Sequence, residues 1–417
     1  MAVEPAGRVA PLPEFVVLMA FLMSVVAFSV DAVLPALPSM QLAFGVKQSA
    51  DMQLVVLVLF VSLSCGQLIF GPLSDAWGRK PTAYVGFAIF TVGSLVALFS
   101  ANLTVLLLGR VLQGLGAAAP RVVSMSMVRD CYEGRALARV NSLVTTTFIV
   151  VPMVAPLMGY WLTLGFGWQG VFGAYVVLAL VATYWLYQRQ PETLPLAKRA
   201  RLHWRSILVS YGYCLRHPAA LPFALALGLS FAPLFGYLGN AHIIFGDIYG
   251  QPNWFPYLFG SLASVVGLSS WLNSRHVMHH GPGYIAVRAL SVLVGLALVF
   301  AFLRQGQWLA DTLWPTYCWM AASFFCYGFL FGNLTALALQ PLGQQAGVGA
   351  AMLSTLSNWI ATALGAWIGY SLLGSIDALV LGQGLCSLAA LAIIGFARSR
   401  TKGHGKSALG KRNGSGA

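Results

Sequence analysis

Few side chains in this sequence can take part in acid–base or ionic chemistry, and their placement narrows what that chemistry is. Asp, Glu, Lys and Arg make up 8% of the 417 residues. Of the eleven acidic residues, Asp31 is the only one well inside a long apolar stretch; Asp51, Asp247, Asp311 and Asp377 fall at or near the ends of such stretches. A carboxylate in hydrocarbon is costly unless it is paired, solvated or protonated. Asp31 is therefore a candidate for proton binding coupled to another event. Two arginines share its surroundings. The depth of Arg110 agrees with that of Asp31 within a few ångström at about 1.5 Å of rise per residue, so the two are expected to meet directly or through water. Arg121 follows eleven residues later, on nearly the same helical face and three turns deeper. There it can contact an anionic or electron-rich compound, or reach back to the membrane surface.

Other chemistries lack their residues. The six cysteines, Cys65, Cys131, Cys214, Cys318, Cys326 and Cys386, show no C-x-x-C spacing, so they point to no metal site or redox pair. Four of the seven histidines, His203, His276, His279 and His280, fall in polar loops, the ordinary place for a solvated imidazole. No G-x-x-x-x-G-K-[ST], G-x-S-x-G or H-E-x-x-H occurs, so nucleotide hydrolysis and the common hydrolase mechanisms are unsupported. The expectation is a protein that is not an enzyme, with no cofactor and no metal, driven by an existing gradient.

The elements that position these groups follow from hydropathy. With 58% hydrophobic residues, against roughly 45–50% apolar and about 25% charged in a soluble chain, no water-facing surface could be covered. Apolar runs predict membrane helices near 13–36, 50–74, 81–100, 103–127, 138–165 and 169–188, then 221–247, 253–274, 283–304, 313–338, 346–373 and 376–397. The first of these runs into Asp31 and two prolines without a small-residue cleavage site, and is expected to be retained. A polar connection over 189–220 divides the helices into two halves of six, an arrangement expected of duplicated halves. The formal charge is +13, and 20 of the 24 Lys and Arg residues fall on one side when both termini and the connection are placed there. The charge is thus an orientation signal that puts both termini in the cytoplasm, and nucleic-acid binding is not expected.

Short motifs sharpen this. Residues 71–80 read GPLSDAWGRK, a tight connection with a glycine pair expected to end the helix. It matches every fixed position of G-x-x-x-D-x-x-G-R-K, the loop signature of the major facilitator superfamily, which the chain resembles. Residues 110–117 are similar to that family's R-x-x-Q-G-x-G-A, whose small residues let helices approach closely. Pro152, Pro156 and Gly159 resemble its antiporter motif, where prolines and glycine can bend a helix. Together with residues 31–38, 128–132 and 332–347, these motifs resemble the Bcr/CflA (bicyclomycin- and chloramphenicol-resistance) branch of drug:proton antiporters over nearly the whole chain. The sequence departs from that branch at Ala32-Val33, usually Met-Tyr, and at Pro120-Arg121.

The resemblance implies an all-α membrane protein of the major facilitator fold, with twelve transmembrane helices in two six-helix bundles. Residues 1–188 would form the N-terminal bundle, 189–220 a cytoplasmic linker, 221–397 the C-terminal bundle and 398–417 a disordered cytoplasmic tail. It implies a proton-coupled efflux antiporter for drugs or other small molecules, working by alternating access in a bacterial inner membrane as a monomer. Its partners would be the lipid bilayer, protons and a small hydrophobic or amphipathic substrate. A dedicated carrier of a siderophore, nucleoside or sugar is the alternative. Asp31 and Arg110 would couple protons; Arg121, Phe231, Phe235, Tyr327 and Asn333 would contact cargo. Gly71, Asp75, Gly78, Arg79, Arg129 and Asp130 would form a conformational latch.

Overall fold

The computed structural model describes residues 11–308, 311–372 and 374–412, and every regular element among them is a helix. In a bilayer each backbone N–H and C=O of an isolated apolar segment must be satisfied within that segment, which selects the helix. Ten helical runs among the described residues are long and apolar enough to cross a membrane. One of them, Val151–Arg189, breaks at Gly167, whose φ of 67° is left-handed, and Ala346–Tyr370 is a further helix of 25 residues. Dividing the first and adding the second brings the series to twelve, in the expected order.

The N-terminal half begins with α1 (Leu12–Asp31), a 3₁₀ turn at Leu34–Ala36 and α2 (Leu37–Phe44). The first two pieces replace the continuous helix expected over 13–36, and α2 extends the run beyond it. Pro35 lies at the break, as expected of a residue with no N–H to donate. Next come α3 (Leu54–Trp77), α4 (Arg79–Leu98) and α5 (Leu103–Cys131). The expected stop at the glycine pair is corrected: α3 runs on through Gly71 and Pro72, and only Gly78, with φ 106° and ψ 164°, ends it. A Cβ on Gly114 would lie 2.5 Å from the Leu59 carbonyl oxygen, so this motif glycine permits the close α3–α5 crossing. The expected fifth helix is split into α6 (Gly134–Ile149) and the first arm of α7 (Val151–Arg189), with Pro152 in the first turn after the break.

The linker carries an unexpected helix, α8 (Trp204–Arg216), whose Tyr211 hydroxyl donates to the Leu68 carbonyl of α3 at 2.8 Å. The C-terminal half comprises α9 (Leu221–His242, followed by a π-helical turn to Ile248), α10 (Phe255–His280), α11 (Pro282–Gln305), α12 (Leu313–Leu339), α13 (Ala346–Tyr370) and α14 (Asp377–Arg412). The last helix is drawn to Arg412, and residues 413–417 lie outside the described residues.

The halves meet along α3 against α13 and α7 against α10. Near mid-height, Thr355 Oγ1 and Asn358 Nδ2 donate to the carbonyl and hydroxyl oxygens of Ser64, each at 3.0 Å. At the end away from the linker, Asn240 Nδ2 donates to Gln53 Oε1 and the Tyr370 hydroxyl to Asp51 Oδ1, both at 2.9 Å. That end is held shut, whereas a cavity separates the halves at the linker end.

Candidate functional site

A cavity of about 320 Å³ lies between the halves, lined from α1, α3, α5, α7, α9, α10 and α12. Its wall is mostly aliphatic and aromatic: Val26, Phe60, Leu234, Leu238, Phe259 and Phe324 are representative. Among the described residues lining it, Asp31 is the one acid and Arg121 the one base. Asp31 closes α1 at the proline-associated break and is 5% exposed. Its carboxylate takes no hydrogen bond or ion pair from any described residue.

No direct hydrogen bond or ion pair joins Asp31 to Arg110. Arg110, fully buried, donates from Nε to the Val55 carbonyl at 2.8 Å, from Nη1 to Gln113 Oε1 at 2.9 Å and from Nη2 to the Ser29 carbonyl at 3.0 Å. The physical reason lies in α1: it stops at Asp31, its last carbonyls have no partners one turn ahead, and the Ser29 carbonyl accepts Arg110 together with the Tyr175 hydroxyl at 3.3 Å. Gln113 passes the network on to Ser94 of α4 at 2.9 Å. Arg110 and Gln113, the polar positions of the R-x-x-Q motif, thus tie α1, α3, α4 and α5 into one unit.

Arg121 lies in the wall between this cavity and a second one of about 380 Å³ at the linker end. That vestibule is lined by the ends of α3 and α5 and, across the gap, by Gly347, Ala350, Ala351 and Ser354 of α13. Among the described residues, none accepts a hydrogen bond from Arg121 or pairs with it.

The four aromatic and amide side chains expected at the cargo site do not line the cavity. Phe231 and Tyr327 pack with their rings tilted by 41° and centroids 5.7 Å apart, one helical turn nearer the linker end than the lining residues Leu234 and Phe324. Phe235 packs on Phe60 at 4.4 Å, behind the cavity wall, and Asn333 donates to Asn273 Oδ1 at 2.8 Å. The resemblance pointed to the right helices here but not to the right turn. It also missed α10, which supplies Phe259, Ala263 and Val266.

At the linker end the loop motif forms a compact ionic network. Arg79, whose side chain is 7% exposed, donates to Asp130 Oδ2 at 2.8 Å, to Asp75 Oδ1 at 2.5 Å and to Ser74 Oγ at 2.9 Å. Three linker residues missed by sequence reasoning complete it. Glu192 accepts from the backbone N–H groups of Arg79 and Lys80, both at 3.0 Å, capping the positive end of α4. Thr193 donates to Asp130 at 2.9 Å, and a Cβ on Gly78 would lie 2.7 Å from the Arg199 guanidinium. The available signal was that Glu192 is the lone acid of the linker. Two expectations are corrected. Arg129 is exposed and pairs with no described residue, and Gly71 faces open space in the wall of the vestibule. The network stays within the N-terminal half and linker.

On α7, Pro152 lines the central cavity, Pro156 is buried, and a Cβ on Gly159 would collide with the Ala32 carbonyl just after α1. On its other side α7 meets α10, where a Cβ on Gly260 would lie 2.7 Å from the Met153 carbonyl. The antiporter motif therefore joins the break beside Asp31 to the opposite half.

Comparisons with known proteins agree with this fold. Residues 19–366 match the profile of the Major Facilitator Superfamily. Curated relatives include an uncharacterized MFS-type transporter, YdgK, of Bacillus subtilis, 29% identical over 81% of this chain and 85% of the relative. The bicyclomycin resistance protein homolog of Haemophilus influenzae is 26% identical over 93% and 96%, and multidrug resistance protein D of Escherichia coli 27% over 85% and 86%. Among solved structures, the human organic anion transporter MFSD10 aligns with a TM-score of 0.69 at 17% identity, covering 92% of this chain and 99% of that one. A partially occluded inward open form of the xylose transporter XylE from E. coli aligns at 0.72 and 11%, covering 93% and 99%. These two share the fold.

Proposed function

The chain belongs to the Major Facilitator Superfamily, and from that premise we propose that it exports small hydrophobic or amphipathic compounds in exchange for protons. The observation that carries this reading is Asp31, a carboxylic acid without a partner among the described residues, in an otherwise largely apolar cavity at the junction of two helical halves. An acid so placed must be met by water, a proton or cargo. The names of the bacterial relatives, a bicyclomycin resistance homolog and a multidrug resistance protein, support a drug-like cargo.

The proposed cycle follows from the two ends of the molecule. With the basic linker in the cytoplasm, as the Lys and Arg distribution supports, the vestibule opens inward and cargo enters past Arg121. Rocking of the halves then exposes Asp31 to the outside, where proton binding favours release of cargo. Each inward proton contributes about 2.3 kcal/mol per 100 mV of membrane potential. The work is transport by one chain, with no covalent step and no nucleic acid. Everted vesicles carrying the protein should accumulate a fluorescent lipophilic compound when energised and lose it on adding a protonophore. Accumulation that persists without any proton gradient would refute the coupling.

A dedicated metabolite carrier is the second reading, favoured by the charge of Arg121 in the same cavity. A susceptibility panel separates the two: an exporter of drugs protects cells from several unrelated compounds, a dedicated carrier from none or one.

A further inference from the structure

Arg110 and Arg121 occupy nearly one face of α5, three turns apart, and among the described residues only the first finds acceptors. Arg110 has three acceptors and no exposure. Arg121 has none among the described residues, although it faces a cavity on each side. Among the described residues the acids lining those cavities are Asp31, which makes no ion pair with any of them, and Asp75 and Asp130, which are held by Arg79. A guanidinium at membrane depth is retained against its desolvation cost when it serves a pathway or a ligand. Arg121 is the lining residue that the Asp31 cavity and the linker-end vestibule share.

We propose that Arg121 is an anion-binding residue of the cargo site, and that the compounds exported include organic anions with a carboxylate or sulfonate on an apolar frame. The apolar wall takes the frame: Phe60, Leu234, Leu238, Phe259 and Phe324 offer flat and aliphatic surface. The guanidinium takes the oxyanion, two N–H groups to two oxygens. Its place in the shared wall lets it hold an anion from the vestibule side and pass it inward without leaving the helix. This assignment of substrate class rests on the reading of the cavity as the cargo site.

The test uses two probes of one skeleton, anilinonaphthalene sulfonate and its uncharged parent N-phenylnaphthylamine, titrated by fluorescence into proteoliposomes of the full chain against protein-free liposomes. The wild type should bind the sulfonate more tightly than the parent. Arg121→Gln should weaken sulfonate binding roughly tenfold to a hundredfold, the loss expected for a charge-assisted hydrogen bond, and leave the parent unchanged. Arg121→Lys should keep part of the preference, since it retains charge without the two-pronged geometry. A wild type with no preference for the sulfonate overturns the proposal without recourse to any variant. So does an Arg121→Gln protein that keeps the preference, the result expected if Arg121 instead serves Asp31 in another conformation. If the preference and its loss are seen but no pH gradient moves either dye, the export reading falls and the anion site stands.

Discussion

Arg79 shows how unevenly the charges at the linker end share their work. Its guanidinium is nearly enclosed, and its bond to Asp130, whose side chain is 18% exposed, is shielded; Asp75, at 58%, is mostly in water. Removing the shielded partner strands the other charge, whereas an exposed pair is worth no more than about 1 kcal/mol. Arg79→Ala should therefore destabilise the detergent-solubilised protein by roughly 1.5–3 kcal/mol, and Asp75→Asn by much less, read from their thermal unfolding midpoints. Equal shifts would contradict the ranking. Sequence revealed some residues and not others for reasons of the same kind. Asp31 was legible because acids are scarce and it alone lay mid-stretch. Its supposed partner was not, because matching depths along two helices ignores the carbonyls that a broken helix leaves free, and the Ser29 carbonyl takes the Arg110 donor. Phe231 and Tyr327 lie on the expected helices but one turn from the cavity, a distinction that periodicity does not resolve.

The helix breaks do as much as the helices. α1 stops at Asp31, α7 starts beside Pro152, and Gly159 lets the two approach until only a hydrogen atom fits against the Ala32 carbonyl. Gly159→Ala should cost about 1–3 kcal/mol by overpacking a backbone contact that cannot step aside, with lowered abundance in the membrane. Gly71→Ala, which meets nothing within 4 Å, should be neutral or gain up to about 1 kcal/mol from better helix propensity. Abundance measured by quantitative blotting separates them; a tolerated Gly159→Ala would mean that the α1–α7 crossing is loose. Hydropathy made the crossing helices legible, since the bilayer demands long apolar runs. It could not mark breaks within them, and it passed over α8, although Trp204, Ile207, Leu208 and Tyr211 carry helical spacing within the polar linker. That spacing was readable, but the surrounding arginines masked it.

At the scale of the whole molecule, one end is shut and the other parted. Gln53 with Asn240 and Asp51 with Tyr370 bridge the halves away from the linker, and the vestibule lies opposite. If the halves rock, the bridged end must open once per cycle. Cysteines at positions 53 and 240, in a background lacking the six native ones, should cross-link under oxidation, stop transport, and release it on reduction. Normal turnover of the cross-linked protein would exclude opening at that end. The central claim is that Asp31 carries the proton that drives export, and the most direct measurement compares two activities of wild type and Asp31→Asn in proteoliposomes: accumulation of dye driven by a pH gradient, and gradient-free exchange of labelled for unlabelled dye. The asparagine keeps the shape and removes the proton, so accumulation should fall to the level of protein-free vesicles while exchange continues. Undiminished gradient-driven accumulation by Asp31→Asn would contradict the account.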